Sequence, residues 1–168
     1  YLTGKQREPR LHQVTCKLAS AMLVNTKICH SHDEAMVKIE QVLSSGKAAE
    51  LFNKMIAALG GPNNFIDNPW QSMEKANVIE DVVASEHGYI SAMQTRDIGL
   101  AVVGMKGGRT FNGQQIDHTV GFDRILPIGT KVNRGDVIAR VHAKDSDSAN
   151  IAKAQYSGTI VIAETEPS

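Results

Sequence analysis

Residues 129–139, which read GTKVNRGDVIA, give the clearest signal for the fold of the second half of the chain. Gly129 lies near the start of this stretch, and Gly135 belongs to a run of turn-forming residues at positions 133–136. Apolar residues on either side of that turn predict strands over Ile128–Lys131 and Val137–Ala143. The stretch therefore predicts a β-rich lobe built around closely spaced turns.

Short strands and helices are predicted on both sides of this stretch. The periodicity of the apolar residues changes from helical to alternating after residue 77, which favours strands. The further predicted strands are Val78–Val83, Tyr89–Gln94, Ile116–Leu126 and Thr159–Ala163. One helix is predicted to begin with Thr95 as its cap and to run through Val103, and another spans Ser148–Tyr156. A Gly-rich loop, Gly104–Gly113, follows the first of these helices.

Three amphipathic helices are predicted in the first third of the chain. The first spans Pro9–Val24 and places Leu11, Val14, Leu18 and Met22 at helical spacing, so we expect those side chains to face a core. The second begins with the capping box Ser31–Glu34 and ends at Gly46. The third runs from Lys47 to the helix-ending Gly60-Gly61-Pro62.

A stretch rich in turn formers, Pro62–Gln71, separates the helical part from the β-rich part. Apolar side chains interrupt it at Phe65, Ile66 and Trp70, which predicts a linker with apolar anchors. The sequence therefore predicts a division into residues 1–71 and 72–168.

Composition and charge restrict the class of function. The 168 residues carry 18 basic and 18 acidic side chains, so the electrostatic field expected of a protein that binds nucleic acid or an anionic membrane is missing. Cys16 and Cys29 lie in or beside helical sequence without a disulfide framework, which favours a reducing, cytoplasmic setting. The chain opens at Tyr1 without an initiator methionine and runs at once into a helix, so we expect a fragment of a longer protein.

The Gly-rich loop holds the main candidate binding residues, Lys106, Gly107, Gly108 and Arg109. Successive glycines let backbone N–H groups turn toward an anion, and the two cationic side chains add charge. The alternative, a helix stop followed by a surface loop, is favoured for the motif taken by itself. His118 beside Asp117 is a weaker candidate for acid–base chemistry, because the pair lacks a nucleophile, and a structural histidine is the favoured interpretation.

No metal site is predicted from the sequence. Three ligand types cluster at positions 29–32, Cys-His-Ser-His, but no second cluster supplies a fourth ligand. Ser31 is already explained as a helix cap. We therefore interpret this segment as the solvated loop before the second helix.

An ordered set of short motifs resembles the later part of the thymidine phosphorylases, a family of pyrimidine-nucleoside phosphorylases. These motifs keep similar spacing over nearly the whole chain. They are YLTG at 1–4 with PRL at 9–11, SGKAAE at 45–50, GGP at 60–62, TRDIG at 95–99, GGR at 107–109, IDHTVGF at 116–122 and VHAKD at 141–145.

The resemblance implies a mixed α/β (α+β) fold, with residues 1–71 as the last helices of an α/β catalytic domain and 72–168 as a C-terminal α/β-hammerhead domain. It implies a homodimeric pentosyltransferase that splits thymidine with inorganic phosphate into thymine and 2-deoxy-D-ribose 1-phosphate, without a redox or other cofactor. The family's phosphate-binding and base-binding residues precede Tyr1, so none is carried over and this chain alone is expected to be inactive. The loop residues 106–109 and His118 are expected near the cleft between lobes.

Two alternatives from other classes remain open. The spacing G-x-x-V-x-x-G-x-x-I at 129–138 is also seen in lipoyl and biotinyl lobes, so a non-catalytic hammerhead carrier or interaction module is the main rival. The absence of a lysine at the expected hairpin tip counts against a carrier. The other alternative is a complete protein whose residues 1–60 form a helical partner-binding face.

Overall fold

The computed structural model describes residues 1–167. The first 73 of these residues form a helical unit. Its helices are α1 (Pro9–Asn25), α2 (His32–Ser44) and α3 (Lys47–Ala58), followed by a short 3₁₀ turn at Pro69–Gln71. Side-chain caps begin two of them, because the Glu8 carboxylate accepts from the amides of Arg10 and Leu11 and Ser31 Oγ accepts from the Glu34 amide at 3.1 Å. The Ser31 half of the predicted capping box is therefore confirmed, whereas the Glu34 carboxylate accepts from the His30 amide and not from that of Ser31.

The predicted core-facing stripe of α1 is exposed in the structure. Leu11, Val14, Leu18 and Met22 are between 46 and 68% exposed, whereas Cys16 and Ser20 are buried on another face of the same helix. Within residues 1–167 this stripe therefore does not pack into a core. Helical spacing identified an apolar stripe, but it did not identify which face meets α2.

The second unit, Glu74–Ser168, contains two three-stranded antiparallel sheets among its described residues. The strands are β1 (Val78–Val83), β2 (Gly88–Met93), β3 (Gly121–Asp123), β4 (Lys131–Val132), β5 (Val137–Ala143) and β6 (Ile160–Ala163). One sheet has the order β1-β5-β3 and the other β4-β2-β6. The strands that flank residues 133–136 thus belong to different sheets, and the turn between them connects the two sheets.

Two helices complete the second unit, α4 (Thr95–Gly104) and α5 (Ser146–Thr159). Small residues on one face of α5, Ala149 and Ala152, let that helix approach β1 and β5 closely, and Tyr156 fills the space beyond them. The core cluster also includes Ile90 and Val141, both fully buried. The chain therefore has a mixed α/β fold, as the sequence predicts, and the hammerhead form of the second domain stays a prediction.

Several sequence-based bounds are wrong, and three of them have a local explanation. Gln94, not Thr95, occupies the cap position of α4, and it makes no side-chain capping bond. The strand predicted over Ile116–Leu126 shrinks to β3, because Asp117 Oδ1 accepts from the amide and hydroxyl of Thr119 and so forms a turn. The segment 128–130 is a turn with Gly129 at φ 90°, so β4 begins only at Lys131.

Helices long and apolar enough to cross a bilayer are absent from residues 1–167.

Candidate functional site

The Gly-rich loop begins as the C-terminal closure of α4. The Lys106 amide donates to Val103 O and the Gly107 amide donates to Val102 O, both at 2.9 Å, and Lys106 adopts a left-handed φ of 71°. This is the hydrogen-bond pattern of a Schellman motif. Two of the backbone amides that could have faced an anion are therefore used to end the helix.

Gly107 and Gly108 are required by packing against α4. A Cβ at Gly107 would lie 2.6 Å from Val102 Cγ1, and one at Gly108 would lie 2.8 Å from Val103 Cγ2. These distances are shorter than van der Waals contact allows, so any side chain would push the loop away from the helix. The glycines fix the direction in which the loop leaves α4.

Gln114 organises the tip of the loop. Its backbone carbonyl oxygen accepts from Arg109 Nε at 3.1 Å. Its side-chain Oε1 accepts from the amide and hydroxyl of Thr110 at 2.7 and 2.8 Å. Arg109, Thr110 and Phe111 are exposed. The tip thus presents a guanidinium and an aromatic ring to solvent from a closed turn.

A single backbone hydrogen bond closes the base of the loop. The Asp117 amide donates to Lys106 O at 2.9 Å, so residues 106 and 117 lie side by side. Lys106 through Arg109 and His118 are therefore brought to the two ends of one closed loop. That arrangement can bring cationic side chains to an anionic ligand, although a role in substrate binding stays a prediction.

The Asp117 carboxylate has a structural partner. The side-chain and backbone hydrogen bonds from Thr119 to Oδ1 lower the pKa of Asp117, because they stabilise the charged form. His118 is exposed beside it. Asp117 thus forms the turn before β3, and the Asp117–His118 pair is not needed to explain why the aspartate is there.

The Cys29–His32 segment forms the N-terminal end of α2. The His30 amide donates to Glu34 Oε2 at 2.8 Å, Ser31 caps the helix, and His32 Nδ1 lies 2.7 Å from Ser20 Oγ of α1. Each of these contacts orders the loop or joins it to α1. The segment is therefore the loop before α2, as predicted, but Cys29 is buried and not solvated.

A different group of potential metal ligands was not predicted from the sequence. His12, Cys16 and Glu40 place one ligand atom each within 4.8 Å of one another. The His-x-x-x-Cys spacing on a predicted helix is a signal that could have drawn attention to the first two, since residues four apart share a helix face. Glu40 enters only through the packing of α2 on α1.

Known proteins resemble the chain over almost its whole length. Residues 89–163 match the family model of the pyrimidine nucleoside phosphorylase C-terminal domain. Thymidine phosphorylase of Colwellia psychrerythraea is 60% identical over 167 residues, which are 99% of this chain and 38% of that protein. Thymidine phosphorylase of Mesorhizobium japonicum is 41% identical over the same shares of the two chains.

The chain thus spans 38% of the length of these two relatives. The matched residues begin at the second residue of β2 and continue through β6, so they contain the Gly-rich loop as well as the turn between the sheets. Residues 89–163 therefore resemble the pyrimidine nucleoside phosphorylase C-terminal domain, and the resemblance to the C-terminal portion of thymidine phosphorylases predicted from the sequence is confirmed.

Proposed function

We propose that the protein that contains this chain is a thymidine phosphorylase, which converts thymidine and inorganic phosphate reversibly into thymine and 2-deoxy-D-ribose 1-phosphate. The observation that carries the proposal is the 60% identity to the Colwellia enzyme over 99% of the chain. The protein then acts in pyrimidine salvage as a pentosyltransferase. We further propose that it is a cytoplasmic homodimer without a cofactor, and that neither nucleic acid nor membrane is among its partners.

Such a reaction breaks a glycosidic bond while phosphate attacks the anomeric carbon, which gains oxocarbenium character. Catalysis then depends on holding the two substrates in line and on stabilising charge. We propose that most of this work is done by segments outside residues 1–168. Residues 1–168 then supply the C-terminal domain and helices of the preceding one.

The loop of residues 106–109, with His118 at its other end, is our candidate contribution to the substrate cleft. Two observations support this proposal. Arg109 is exposed at the tip of the loop, and one backbone hydrogen bond joins the two ends of the loop. The tip can therefore become ordered around a substrate while the sheets stay unchanged. A guanidinium suits an anionic substrate because it offers several donors in a planar array.

Arg109→Ala in the full-length enzyme tests the loop. We expect a higher KM for phosphate, a lower kcat, or both, with unchanged thermal stability. Arg134→Ala is the matched control, because Arg134 is an exposed arginine in the turn before β5. Unchanged kcat and KM in Arg109→Ala would remove the loop from the proposed mechanism.

A phosphorolysis assay tests the activity itself. The full-length protein is expected to release thymine from thymidine only when phosphate is present, while residues 1–168 alone, shown to be folded by circular dichroism, are expected to be inactive. Phosphate-dependent cleavage by residues 1–168 alone would contradict the assignment of the chemistry to other segments. Lipoyl or biotinyl modification detected by mass spectrometry would favour the carrier instead.

A further inference from the structure

Arg109 is an exposed cation whose side chain is held by the Gly-rich loop itself. Its Nε donates to the backbone carbonyl oxygen of Gln114 at 3.1 Å. A guanidinium can bind an oxyanion bidentately through a pair of N–H groups that includes Nε or through the pair at Nη1 and Nη2. Because Nε is engaged by Gln114, the pair at Nη1 and Nη2 is the one with which Arg109 can bind a ligand bidentately.

The side chain of Gln114 fixes the backbone next to Arg109. Gln114 Oε1 accepts from the Thr110 amide at 2.7 Å and from the Thr110 hydroxyl at 2.8 Å. The Thr110 amide belongs to the peptide unit that joins Arg109 to Thr110. Gln114 therefore holds both the side chain of Arg109 and the peptide unit that follows it.

Gln114 also connects the exposed tip to the base of the loop. Residues 109–113 are exposed, whereas Gln114 is half-buried. Three residues further along, the Asp117 amide donates to Lys106 O and closes the base. The position of Arg109 is thus determined through Gln114 by the part of the loop that is fixed to α4.

Such an attachment favours the binding of an anion. An exposed arginine side chain has many rotamers, and the loss of that freedom on binding weakens affinity. A side chain that is already held in one direction loses less freedom when the ligand arrives. Bidentate binding also requires the planar guanidinium to be correctly oriented, so its direction affects affinity.

A purely structural role is the simplest alternative for Gln114. Its hydrogen bonds to Thr110 would then only keep the turn closed, and the direction of the Arg109 side chain would have no consequence. However, the turn is already closed by the two bonds to Thr110 and by the bond from the Gln114 amide to Phe111 O at 3.4 Å. The bond from Arg109 Nε is not needed for closure, and orientation of the guanidinium explains it.

We propose that Gln114 is a positioning residue that holds Arg109 so that Nη1 and Nη2 bind inorganic phosphate. The proposal rests on the proposed phosphorolysis, in which the loop contributes to the substrate cleft. Gln114 acts through Arg109, so its loss should raise the KM for phosphate and leave the KM for thymidine unchanged.

The test combines phosphorolysis kinetics with calorimetric titration of inorganic phosphate into the full-length protein. Gln114→Met keeps the length of the side chain but removes the acceptor for Thr110. We expect KM and Kd for phosphate to increase by about 10-fold, as the loss of a hydrogen bond in a binding site typically brings. Gln115→Met changes the exposed neighbouring glutamine, and it should behave like wild type.

A double variant separates positioning from a structural role. In an Arg109→Ala background, Gln114→Met should cause no further loss of phosphate affinity, because the residue through which it acts is missing. Melting temperatures show whether each variant is folded. Thr110→Val, which removes one of the two bonds to Gln114 Oε1, replaces Gln114→Met if that variant is unfolded.

The outcomes distinguish this proposal from the proposed function. Wild-type protein that binds phosphate but does not cleave thymidine would contradict the proposed function, and the calorimetric comparison would still decide the role of Gln114. Equal phosphate affinity in Gln114→Met and wild type would overturn the positioning role. An equal loss with and without Arg109, or an absence of phosphate binding by wild type, would overturn it as well.

Discussion

The helical unit Tyr1–Met73 and the α/β unit Glu74–Ser168 bury their side chains differently. The second has a continuous core in which Ile90, Val141 and Tyr156 are fully buried. In the first, the longer apolar side chains Leu18 and Leu59 are 63 and 78% exposed. The first unit therefore relies more on local caps and turns, whereas the second relies on a core formed by residues that are distant in sequence.

The largest expected effect comes from Gly88→Ala in β2. Gly88 has φ 147°, and a Cβ there would lie 2.5 Å from the backbone oxygen of Ala163 in β6. Because backbone cannot move aside cheaply, we expect a loss of about 3 kcal/mol or more in the free energy of unfolding, measured by urea denaturation.

Gly99→Ala is the control for that substitution. Gly99 lies within α4 with open space around its Cβ position, so alanine should stabilise the protein by about 0.5–1 kcal/mol. A Gly88→Ala protein as stable as wild type would show that the contact between β2 and β6 does not define the second unit.

The next effect is a loss of stability at alkaline pH through Tyr156. Burial raises the pKa of Tyr156 to about 12, above its value of about 10 in an unfolded chain. Because the folded state favours the neutral form, the contribution of Tyr156 to the free energy of unfolding is complete below pH ~10. That contribution falls by about 2–3 kcal/mol as the pH rises toward ~12. Tyr156→Phe should flatten this decline in unfolding free energies measured across that range. An equally steep decline in the variant would contradict the assignment.

Ser31→Ala tests the local definition of the first unit. It removes the oxygen that accepts from the Glu34 amide, and helix caps of this kind contribute about 1 kcal/mol. We expect a lower melting temperature in calorimetry. Ser44→Ala, at the end of the same helix, is expected to have almost no effect because Ser44 bonds only to Gln41 O within the last turn. Equal effects of the two variants would count against capping.

The smallest effect should be the same in both units. Lys27 after α1 and Lys106 after α4 adopt left-handed φ angles of 60 and 71° at equivalent helix-ending positions. Glycine removes the strain of that conformation but loses more entropy on folding, so each Lys→Gly change should stabilise by about 0.5 kcal/mol. Thermal melts of the two single variants measure it, and destabilisation by either would show that the lysine side chain matters more than its backbone.

Most elements could be predicted from sequence because their signals are local. The bounds of β1 and β5 match the predicted Val78–Val83 and Val137–Ala143, and Gly60 and Gly61 end α3 as predicted, with Gly61 donating to Ile56 O. The division of the strands between two sheets could not be predicted, since it depends on pairings such as Gly88 with Val132.

The candidate site was predicted only in part for the same reason. The residues of the Gly-rich loop follow from composition, but their use as a helix closure depends on bonds to Val102 and Val103. The contact of Glu40 with His12 depends on helix packing, which the apolar stripe of α1 did not reveal because its members are exposed.

The hydrogen bond from the Asp117 amide to Lys106 O separates the loop tip from the rest of the domain. Because the two ends are held together independently of what lies between them, lengthening the tip adds only a small loop-closure entropy. The tip can therefore be replaced or lengthened by itself. Residues 109–114 are thus a suitable place to insert a reporter peptide while the fold of the β-rich unit is kept.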